Sequence, residues 1–256
     1  MKEHRDRERH RETFGSVAEL YDRARPGYPA VVFDDLAELA SLEPGSRVLE
    51  IGPGTGKATA ELGRRGYVVT GIELSPDLAE IARRNVPTVE VAVGDFETWE
   101  PPEASFDAVV AFTAFHWIAP ELRYAKPARL LRPGGALAVV HTHHVRNDDP
   151  FWLESQEDYD AVVPDPDNAP SPLPEEVASW VLDETLFRDI VRRRYPVESV
   201  YSPDEYIALI GTYSDNIALP EAQREELFKR LRARTEAQGT LRKLVVYELT
   251  VGHRPR

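Results

Sequence analysis

Between residues 47 and 141, hydrophobic positions form short uninterrupted runs, and segments with helical periodicity separate each run from the next. The runs cover residues 48–51, 67–72, 88–93, 105–112 and 136–141. Continuous apolar runs are typical of strands buried on both faces, and their alternation with helices predicts a doubly wound α/β fold built on a parallel sheet. Two later runs bring the expected total to seven mostly parallel strands, at residues 187–200 and 243–251.

The rest of the chain is expected to flank this sheet. Pro26 and Pro29 exclude one continuous helix near the N-terminus, where the sequence predicts a helical cap behind a charged tail. Residues 147–175 carry six prolines and many acidic side chains, so we expect a loop or a broken helical lid inserted after strand five. Helices are predicted over residues 175–186, 203–210 and 220–238. The chain is thus divided into a tail and cap at 1–40, a core at 41–146, a lid at 147–180 and a C-terminal part at 181–256.

A glycine-rich turn follows the first predicted strand and precedes a helix. Gly52, Gly54 and Gly56 stand at alternate positions, which lets a ligand approach the backbone and the helix N-terminus. A phosphate-binding P-loop is excluded, because Ile51 stands where its first glycine belongs and Ala58 stands where its hydroxyl belongs. A dinucleotide fingerprint is weakened by its missing third glycine. The carboxylate of Glu50 beside the turn would repel a pyrophosphate and attract a cationic ligand. This favours S-adenosylmethionine, a sulfonium without phosphate.

Two further acidic residues follow later strands. Glu73 lies 21 positions after Gly52, close to the spacing of about 20 at which a carboxylate binds ribose hydroxyls. Asp95 and Phe96 follow the third strand, where a carboxylate can accept a hydrogen bond from an adenine amino group and a ring can cover the base. The three acidic positions together favour an adenosine-containing cation.

With these motifs in order, the chain resembles the class I S-adenosylmethionine-dependent methyltransferases, which have a Rossmann-like fold. The motifs span residues 50–56, 73, 94–96, 106–107 and 132–135. Tyr21, residues 25–29 and residues 115–117 resemble, more narrowly, the trans-aconitate-methyltransferase-like and methyltransferase type 11 small-molecule branch. The resemblance implies S-adenosylmethionine as cofactor and S-adenosylhomocysteine as product. It also implies these cofactor-binding residues: Tyr21, Arg25, Glu50, Gly52, Pro53, Gly54, Thr55, Gly56, Glu73, Leu74, Asp95, Phe96, Phe112 and Thr113.

Four histidines fall at the ends of the fourth and fifth strands, where ligands bind in open α/β sheets. His116 and His141 are the candidate catalytic residues, as a base or as groups that orient the acceptor. The alternative for His116 is a structural histidine beneath Trp117. Alternation along a strand places His141 and His143 on one face and His144 on the other. No metal is expected, since no acidic third ligand has a recognisable spacing. The candidate substrate contacts are Tyr28, Trp117, His143 and His144.

Composition narrows the class of acceptor. The net charge of −13 argues against a nucleic-acid substrate, and no apolar run is long enough to span a membrane. The chain has no cysteine, which excludes thiolate nucleophiles and disulfides. We therefore expect a cytoplasmic monomer or homodimer that methylates a small molecule, most simply on a carboxylate or hydroxyl oxygen. A nicotinamide-dependent oxidoreductase and a cofactor-binding protein without turnover remain as alternatives.

Overall fold

The computed structural model of the chain describes residues 17–163 and 171–256, and its central feature is a sheet of seven strands. The strands lie in the order β3-β2-β1-β4-β5-β7-β6. Their bounds are β1 Arg47–Ile51, β2 Val68–Glu73, β3 Glu90–Val93, β4 Phe106–Phe112, β5 Leu131–Val145, β6 Arg188–Tyr201 and β7 Leu241–His253. The first five strands pair in parallel, while β7 pairs antiparallel with both β5 and β6. The predicted α/β, mostly parallel seven-stranded fold is confirmed.

The parallel pairing brings the ends of the early strands to one edge of the sheet. Ile51, the last residue of β1, lies opposite Ile72 of β2 on one side and Ala111 of β4 on the other. The segments that leave these strands therefore begin side by side. This edge is where the glycine turn, Glu73 and the β4 exit meet.

Helices cover both faces of the sheet. They are α1 Ala18–Ala24, α2 Ala30–Leu39, α3 Lys57–Arg64, α4 Pro76–Asn85, α5 Pro120–Arg123, α6 Ala125–Leu130, α7 Phe151–Val162, α8 Pro203–Ile210, α9 Ser214–Ile217 and α10 Glu221–Gln238. Short 3-10 turns occupy Phe115–Trp117 and Pro174–Glu176. The Ser75 hydroxyl caps α4 by accepting a hydrogen bond from Leu78 N at 3.3 Å, and Pro76 is the first helical residue. None of the helices that the structure describes is long and apolar enough to cross a membrane.

The sheet separates two apolar clusters, and a third forms among the later helices. Val48, Val110 and Val140 pack under α2 and α3, whereas Leu49, Val109 and Val139 face the opposite side. The third cluster joins α7, α8 and α10 through residues Phe151, Trp152, Tyr206, Ile210, Leu227 and Leu231. This alternation is what a strand buried on both faces requires.

The structure corrects three predicted segments. The strand expected at 136–141 runs from Leu131 to Val145, and residues 132–135 lie inside it, where the pairing with β4 shifts register. Residues 151–162 are one continuous helix with a buried N-terminal end, because the nearest prolines flank the helix instead of interrupting it. The helix expected at 175–186 is wrong.

Hydrogen bonds to a buried strand residue explain the absence of that helix. Glu248 of β7 accepts from Trp180 N at 2.8 Å and from Ser179 Oγ at 3.0 Å, and Arg194 Nη2 donates to Val177 O at 2.8 Å. These bonds hold residues 177–180 extended along the sheet, since a helix would use the same backbone groups internally. The predicted tail at 1–12 and the part of the predicted lid at 164–170 lie outside the described residues.

Candidate functional site

A cavity of about 520 Å³ opens at the carboxyl ends of β1, β2, β4 and β5. Thirteen of the residues predicted for cofactor, catalysis or substrate line it: Tyr21, Arg25, Gly52, Gly54, Glu73, Leu74, Phe96, Phe112, Thr113, His116, Trp117, His141 and His144. A smaller cavity of about 70 Å³ adjoins it and shares Arg25, Gly54 and His144 with it. Four other predicted residues line only the smaller cavity: Tyr28, Glu50, Pro53 and Thr55. The structure thus gathers most of the predicted set at one edge of the sheet.

The glycine turn forms a cradle that side chains would fill. Gly52 has φ 66°, and a Cβ built there would lie 2.7 Å from the Cβ of Ala114. Gly56 is left-handed at φ 89° and begins α3, where a Cβ would lie 3.3 Å from the Cα of Ala82. A residue other than glycine would be strained at both positions. The close approach to the β4 exit and to α4 is the structural reason for these two glycines.

Glu73 ties the end of β2 to the glycine turn. Its carboxylate accepts backbone hydrogen bonds from Gly54 N and Ser75 N, each at 2.9 Å, and the residue is only 6% exposed. Burial raises the pKa of the Glu73 carboxyl, and the hydrogen bonds from Ser75, Gly54 and Leu74 act against this. The side chain is therefore held in one place on the cavity wall.

Glu50 is buried beneath the turn, with 1% of the residue exposed. One carboxylate oxygen accepts from Thr59 Oγ1 at 2.6 Å, while Oε1 is buried and has no hydrogen-bond partner among the described residues. Burial raises the pKa of Glu50 to about 7, which Thr59 opposes and the charge of Glu73 reinforces. An unpaired, desolvated carboxylate favours a cationic ligand nearby. The glycine cradle and this orphaned oxygen fit S-adenosylmethionine, whose methionine end carries an ammonium and a sulfonium.

Of the three residues expected to bind adenine, two line the cavity and one does not. Leu74 and Phe96 both line the cavity, beside Gly94 and Ile118. Asp95 does not line the cavity. Its Oδ1 accepts a hydrogen bond from Glu97 N at 2.9 Å in the turn after β3. Gly56 also lines neither of the two cavities. The assigned contact between Asp95 and the adenine amino group stays a prediction.

The candidate catalytic histidines meet on the far side of the cavity. The rings of His116 and His141 are 5.8 Å apart, and the His116 ring lies 4.5 Å from that of Trp117. Arg123 Nη2 donates to the backbone oxygen of His116 at 3.1 Å and so helps hold the 3-10 turn. Within residues 17–163 and 171–256, the buried Nδ1 of His116 has no hydrogen-bond partner. Burial lowers the pKa of His116 to about 4, and the charges of His141 and Arg123 act in the same direction, so the ring is neutral at pH 7.

Strand alternation separates the three histidines of β5 as expected. His141 and His143 lie on one face with ring centroids 4.5 Å apart, while the His144 ring on the other face lies tilted at 4.9 Å from that of Tyr213. His143 does not line the main cavity. It lines a shallow neighbouring depression with Ser179 and Trp180, where its Nε2 lies 4.0 Å from Glu248 Oε1. His141 and His144 line this depression as well as the main cavity, and the substrate contact assigned to His143 stays a prediction.

A chain of hydroxyl groups connects Tyr28, in the smaller cavity, to Thr113 and Thr142, which line both cavities. Its hydroxyl lies 3.1 Å from Thr113 Oγ1, which lies 2.7 Å from Thr142 Oγ1. Thr142 was not among the predicted residues, although its place between two candidate histidines could have indicated it. Tyr213 and Lys243 also line the cavities, and neither belongs to a recognisable local motif. Their position is set by the way α8, α9 and β7 pack.

Comparison of the sequence with known proteins finds methyltransferases. A family model described as a methyltransferase domain matches residues 48–135. An uncharacterized methyltransferase of Mycobacterium tuberculosis is 30% identical over 220 residues, which cover 86% of this chain and 84% of that protein.

Solved structures share the fold. A proposed type II methyltransferase from Anaeromyxobacter dehalogenans aligns with a TM-score of 0.60 at 23% identity, over 91% of this chain and 99% of that one. The Haemonchus contortus phosphoethanolamine N-methyltransferase 2, in complex with phosphomonomethylethanolamine and S-adenosylhomocysteine, aligns with a TM-score of 0.54 at 18% identity. That alignment covers 94% of this chain and 58% of the other.

Proposed function

This chain belongs to the class I S-adenosylmethionine-dependent methyltransferases, and we propose that it methylates an oxygen atom of a small-molecule acceptor. The observation that carries the proposal is the cavity of about 520 Å³, which joins the glycine turn to His116 and Trp117. Its volume is in the range of about 300–1,000 Å³ that is typical of small-molecule sites. The net charge of −13 supports a small acceptor over a nucleic acid.

Each side chain has a separate task in this proposal. Glu73 binds the ribose hydroxyls, while Leu74 and Phe96 enclose the adenine. Glu50 lies near the cationic methionine end, where opposite charge stabilises its carboxylate form. Tyr21 and Arg25 contribute to the same end of the cavity wall. Together these contacts leave the side that bears the histidines to the acceptor.

Bound S-adenosylmethionine supplies a methyl group that already has a good leaving group, so the protein mainly needs to orient the acceptor and exclude water. Neutral His116 can accept a hydrogen bond from an acceptor hydroxyl through its unpaired Nδ1. Because its lowered pKa of about 4 makes it a weak base, we assign it orientation of the acceptor oxygen. His141 lies beside it and narrows the same wall. A carboxylate acceptor needs no base at all.

The test is methyl transfer by the full chain from S-adenosylmethionine carrying a labelled methyl group. The acceptors are carboxylic acids, alcohols, phenols and amines of low molecular mass. We expect label in an acid or a hydroxyl compound, and mild alkaline hydrolysis then separates a methyl ester from a methyl ether. Label in amines alone would overturn the proposed oxygen acceptor. Binding of S-adenosylhomocysteine without any methyl transfer would instead favour a cofactor-binding protein without turnover.

A further inference from the structure

Three side chains form a row across β5, β7 and β6 beside the main cavity. His141 of β5 lies opposite Glu248 of β7, and Glu248 in turn lies opposite Arg194 of β6. Residues that lie directly opposite one another on paired strands project to the same face of the sheet and are close neighbours. His141 lines the main cavity, whereas Glu248 and Arg194 do not. This cross-strand row therefore connects the cavity wall with two charged groups outside it.

Glu248 is a fully buried carboxylate with several hydrogen bonds. Its Oε2 accepts from Arg194 Nε at 2.7 Å and from Ser179 Oγ at 3.0 Å, and its Oε1 accepts from Trp180 N at 2.8 Å. Burial raises the pKa of the Glu248 carboxyl, but these hydrogen bonds outweigh burial and hold the pKa below its ordinary value. Glu248 is thus a fixed negative charge behind the cavity wall at neutral pH.

Trp180 joins Glu248 to the His141 ring. Its backbone N–H donates to Glu248, while its indole stacks on the His141 ring with centroids 5.5 Å apart and planes inclined by 28°. The indole is itself held in place, since Nε1 donates to the Tyr124 hydroxyl at 3.1 Å and the Arg123 guanidinium lies 5.2 Å from the ring centroid. Glu248 therefore fixes the backbone of the residue whose ring restrains His141.

The charge of Glu248 also distinguishes His141 from His116. Burial lowers the pKa of His141, and the charge of Glu248 opposes this effect. Burial lowers the pKa of His116 as well, but the charges of His141 and Arg123 add to the effect there. The Nε2 of His143 lies 4.0 Å from Glu248 Oε1, yet His143 does not line the main cavity. His141 combines access to the cavity with a stabilising negative charge.

The other titratable groups around His141 are neutral or directed elsewhere near pH 7. The rings of His116 and His143 lie 5.8 and 4.5 Å away, and burial lowers the pKa of each to about 4. Glu176 lines the neighbouring depression, but its carboxylate accepts a hydrogen bond at 2.7 Å from the backbone of the residue that precedes its own 3-10 turn. Glu248 is then the charge that acts on His141 at neutral pH.

We infer that His141 accepts the proton of a hydroxyl acceptor and that Glu248 is a positioning residue that stabilises the protonated ring. The inference rests on the proposed function and adds a base to it. As the acceptor oxygen bonds to the methyl carbon, its proton passes to an imidazole nitrogen of His141, and the electron pair of the broken carbon–sulfur bond stays on sulfur. One positive charge thus moves from the donor to His141, opposite Glu248. Loss of that proton to water restores the neutral ring.

The first test measures the pKa of His141 without turnover. The imidazole signals of the full chain, saturated with S-adenosylhomocysteine, are followed by NMR against pH, and His141→Gln identifies the signal of His141. We expect Glu248→Gln to lower this pKa by about 1, and Glu248→Asp, which keeps the charge, to restore most of the loss. Glu198→Gln is the matched control, because Glu198 of β6 likewise pairs with an arginine of the neighbouring strand, Arg242. It should leave the pKa of His141 unchanged.

Arg194→Gln separates the charge of Glu248 from its structural role. It disrupts the same hydrogen-bond network, but it leaves the negative charge in place and less compensated. We expect the pKa of His141 to stay the same or rise, whereas a purely structural role predicts the fall expected for Glu248→Gln. Thermal melting checks that each variant is folded. If Glu248→Gln does not fold, a fall of the His141 pKa in folded Arg194→Gln would still contradict the inference.

The second test is the pH dependence of methyl transfer to a hydroxyl acceptor. We expect kcat of the wild-type chain to rise with pH through the pKa of His141 and then to level off. His141→Gln should remove this rise and lower kcat by about a hundredfold or more, whereas His116→Gln should keep the rise. Glu248→Gln should move the rise to lower pH and reduce the final kcat about threefold, because a weaker base transfers the proton less well.

Three outcomes would overturn the inference. The first is an unchanged His141 pKa in folded Glu248→Gln. The second is a rise of kcat with pH that persists in His141→Gln. The third is transfer of the labelled methyl group to carboxylic acids alone, which need no base and which would leave the proposed function intact. Transfer to amines alone would overturn the proposed function itself, while the NMR titration would still decide the effect of Glu248 on His141.

Discussion

The two halves of the main cavity are built in different ways. The cofactor half consists of the glycine turn, Glu73 and Phe96, and its contacts run mainly through backbone groups close in sequence. Glu73 and Gly54, for example, are 19 positions apart. The acceptor half consists of His116, His141, His144 and Tyr213, whose contacts run through side chains. The rings of His144 and Tyr213, which lie 4.9 Å apart there, belong to residues 69 positions apart. A half built from local backbone geometry can be recognised as a motif in the sequence. A half built from side chains that are distant in sequence cannot.

The largest expected effect tests whether the cofactor half depends on its backbone. Gly52→Val combines a left-handed φ, which costs about 1–2 kcal/mol, with a close contact to Ala114, which costs about 1–3 kcal/mol. We expect the free energy of unfolding to fall by the sum of the two and S-adenosylhomocysteine binding to be lost. Denaturant unfolding and calorimetry measure these effects.

Gly45→Ala is the matched control for that substitution. Gly45 has φ 92° and nothing within 4 Å of a Cβ built on it, so it should show the backbone cost alone and retain cofactor binding. Equal losses in the two variants would show that the approach of Ala114 to the turn is unimportant.

The second prediction concerns the buried histidine of the acceptor side. Burial, His141 and Arg123 lower the pKa of His116 to about 4, below the usual value of about 6.5 for an unfolded chain. As the pH falls, the unfolded state therefore binds a proton at a higher pH than the folded state does. The stability due to neutral His116 is present above pH 6.5 and is lost as the pH falls toward 4. We expect the wild-type chain to lose about 3 kcal/mol more than His116→Gln between pH 7 and pH 4.

Urea unfolding across that pH range provides the measurement. Both proteins share the other buried histidines, so their difference isolates His116. Parallel curves for the two proteins would contradict the lowered pKa. S-adenosylhomocysteine affinity at pH 7 should be similar in both, because His116 lies on the acceptor side of the cavity.

A third and smaller effect is expected for Glu73→Gln. The amide retains one acceptor oxygen and cannot receive both backbone hydrogen bonds from Gly54 and Ser75. We expect S-adenosylhomocysteine binding to weaken by about 1–3 kcal/mol, through a misplaced turn and a weaker ribose contact. Glu80→Gln, on the exposed face of α4, is the control for loss of charge. Calorimetric affinities that do not differ between the two variants would show that Glu73 is not a cofactor contact.

The smallest effect marks the edge of the acceptor half. His143 lines the depression beside Trp180, outside the main cavity, so His143→Gln should change the rate of methyl transfer by no more than about twofold, equivalent to less than about 0.5 kcal/mol. Steady-state rates with an acceptor identified by transfer of the labelled methyl group provide the comparison. A loss of tenfold or more would extend the acceptor site across β5.

Local rules explain why so much of the fold was predictable. The β1 turn, the Ser75 cap and the alternation of His141, His143 and His144 each depend on residues within a few positions of one another. The same rules failed at residues 175–186, because Glu248, more than sixty positions later, holds that segment extended. They failed again at the predicted lid, where Phe151 is buried only because α8 and α10 pack against it.

The sequence alone determined the sheet, the cofactor class and the edge at which the site lies, since strand periodicity and glycine conformation are properties of short segments. Only the tertiary structure decided that His143 lies outside the main cavity. Only the tertiary structure also places Arg25, His144 and Lys243 in one cavity. The reason is physical. The role of a buried charged group depends on the groups that surround it, and residues hundreds of positions apart become neighbours only when the sheet and its helices have packed.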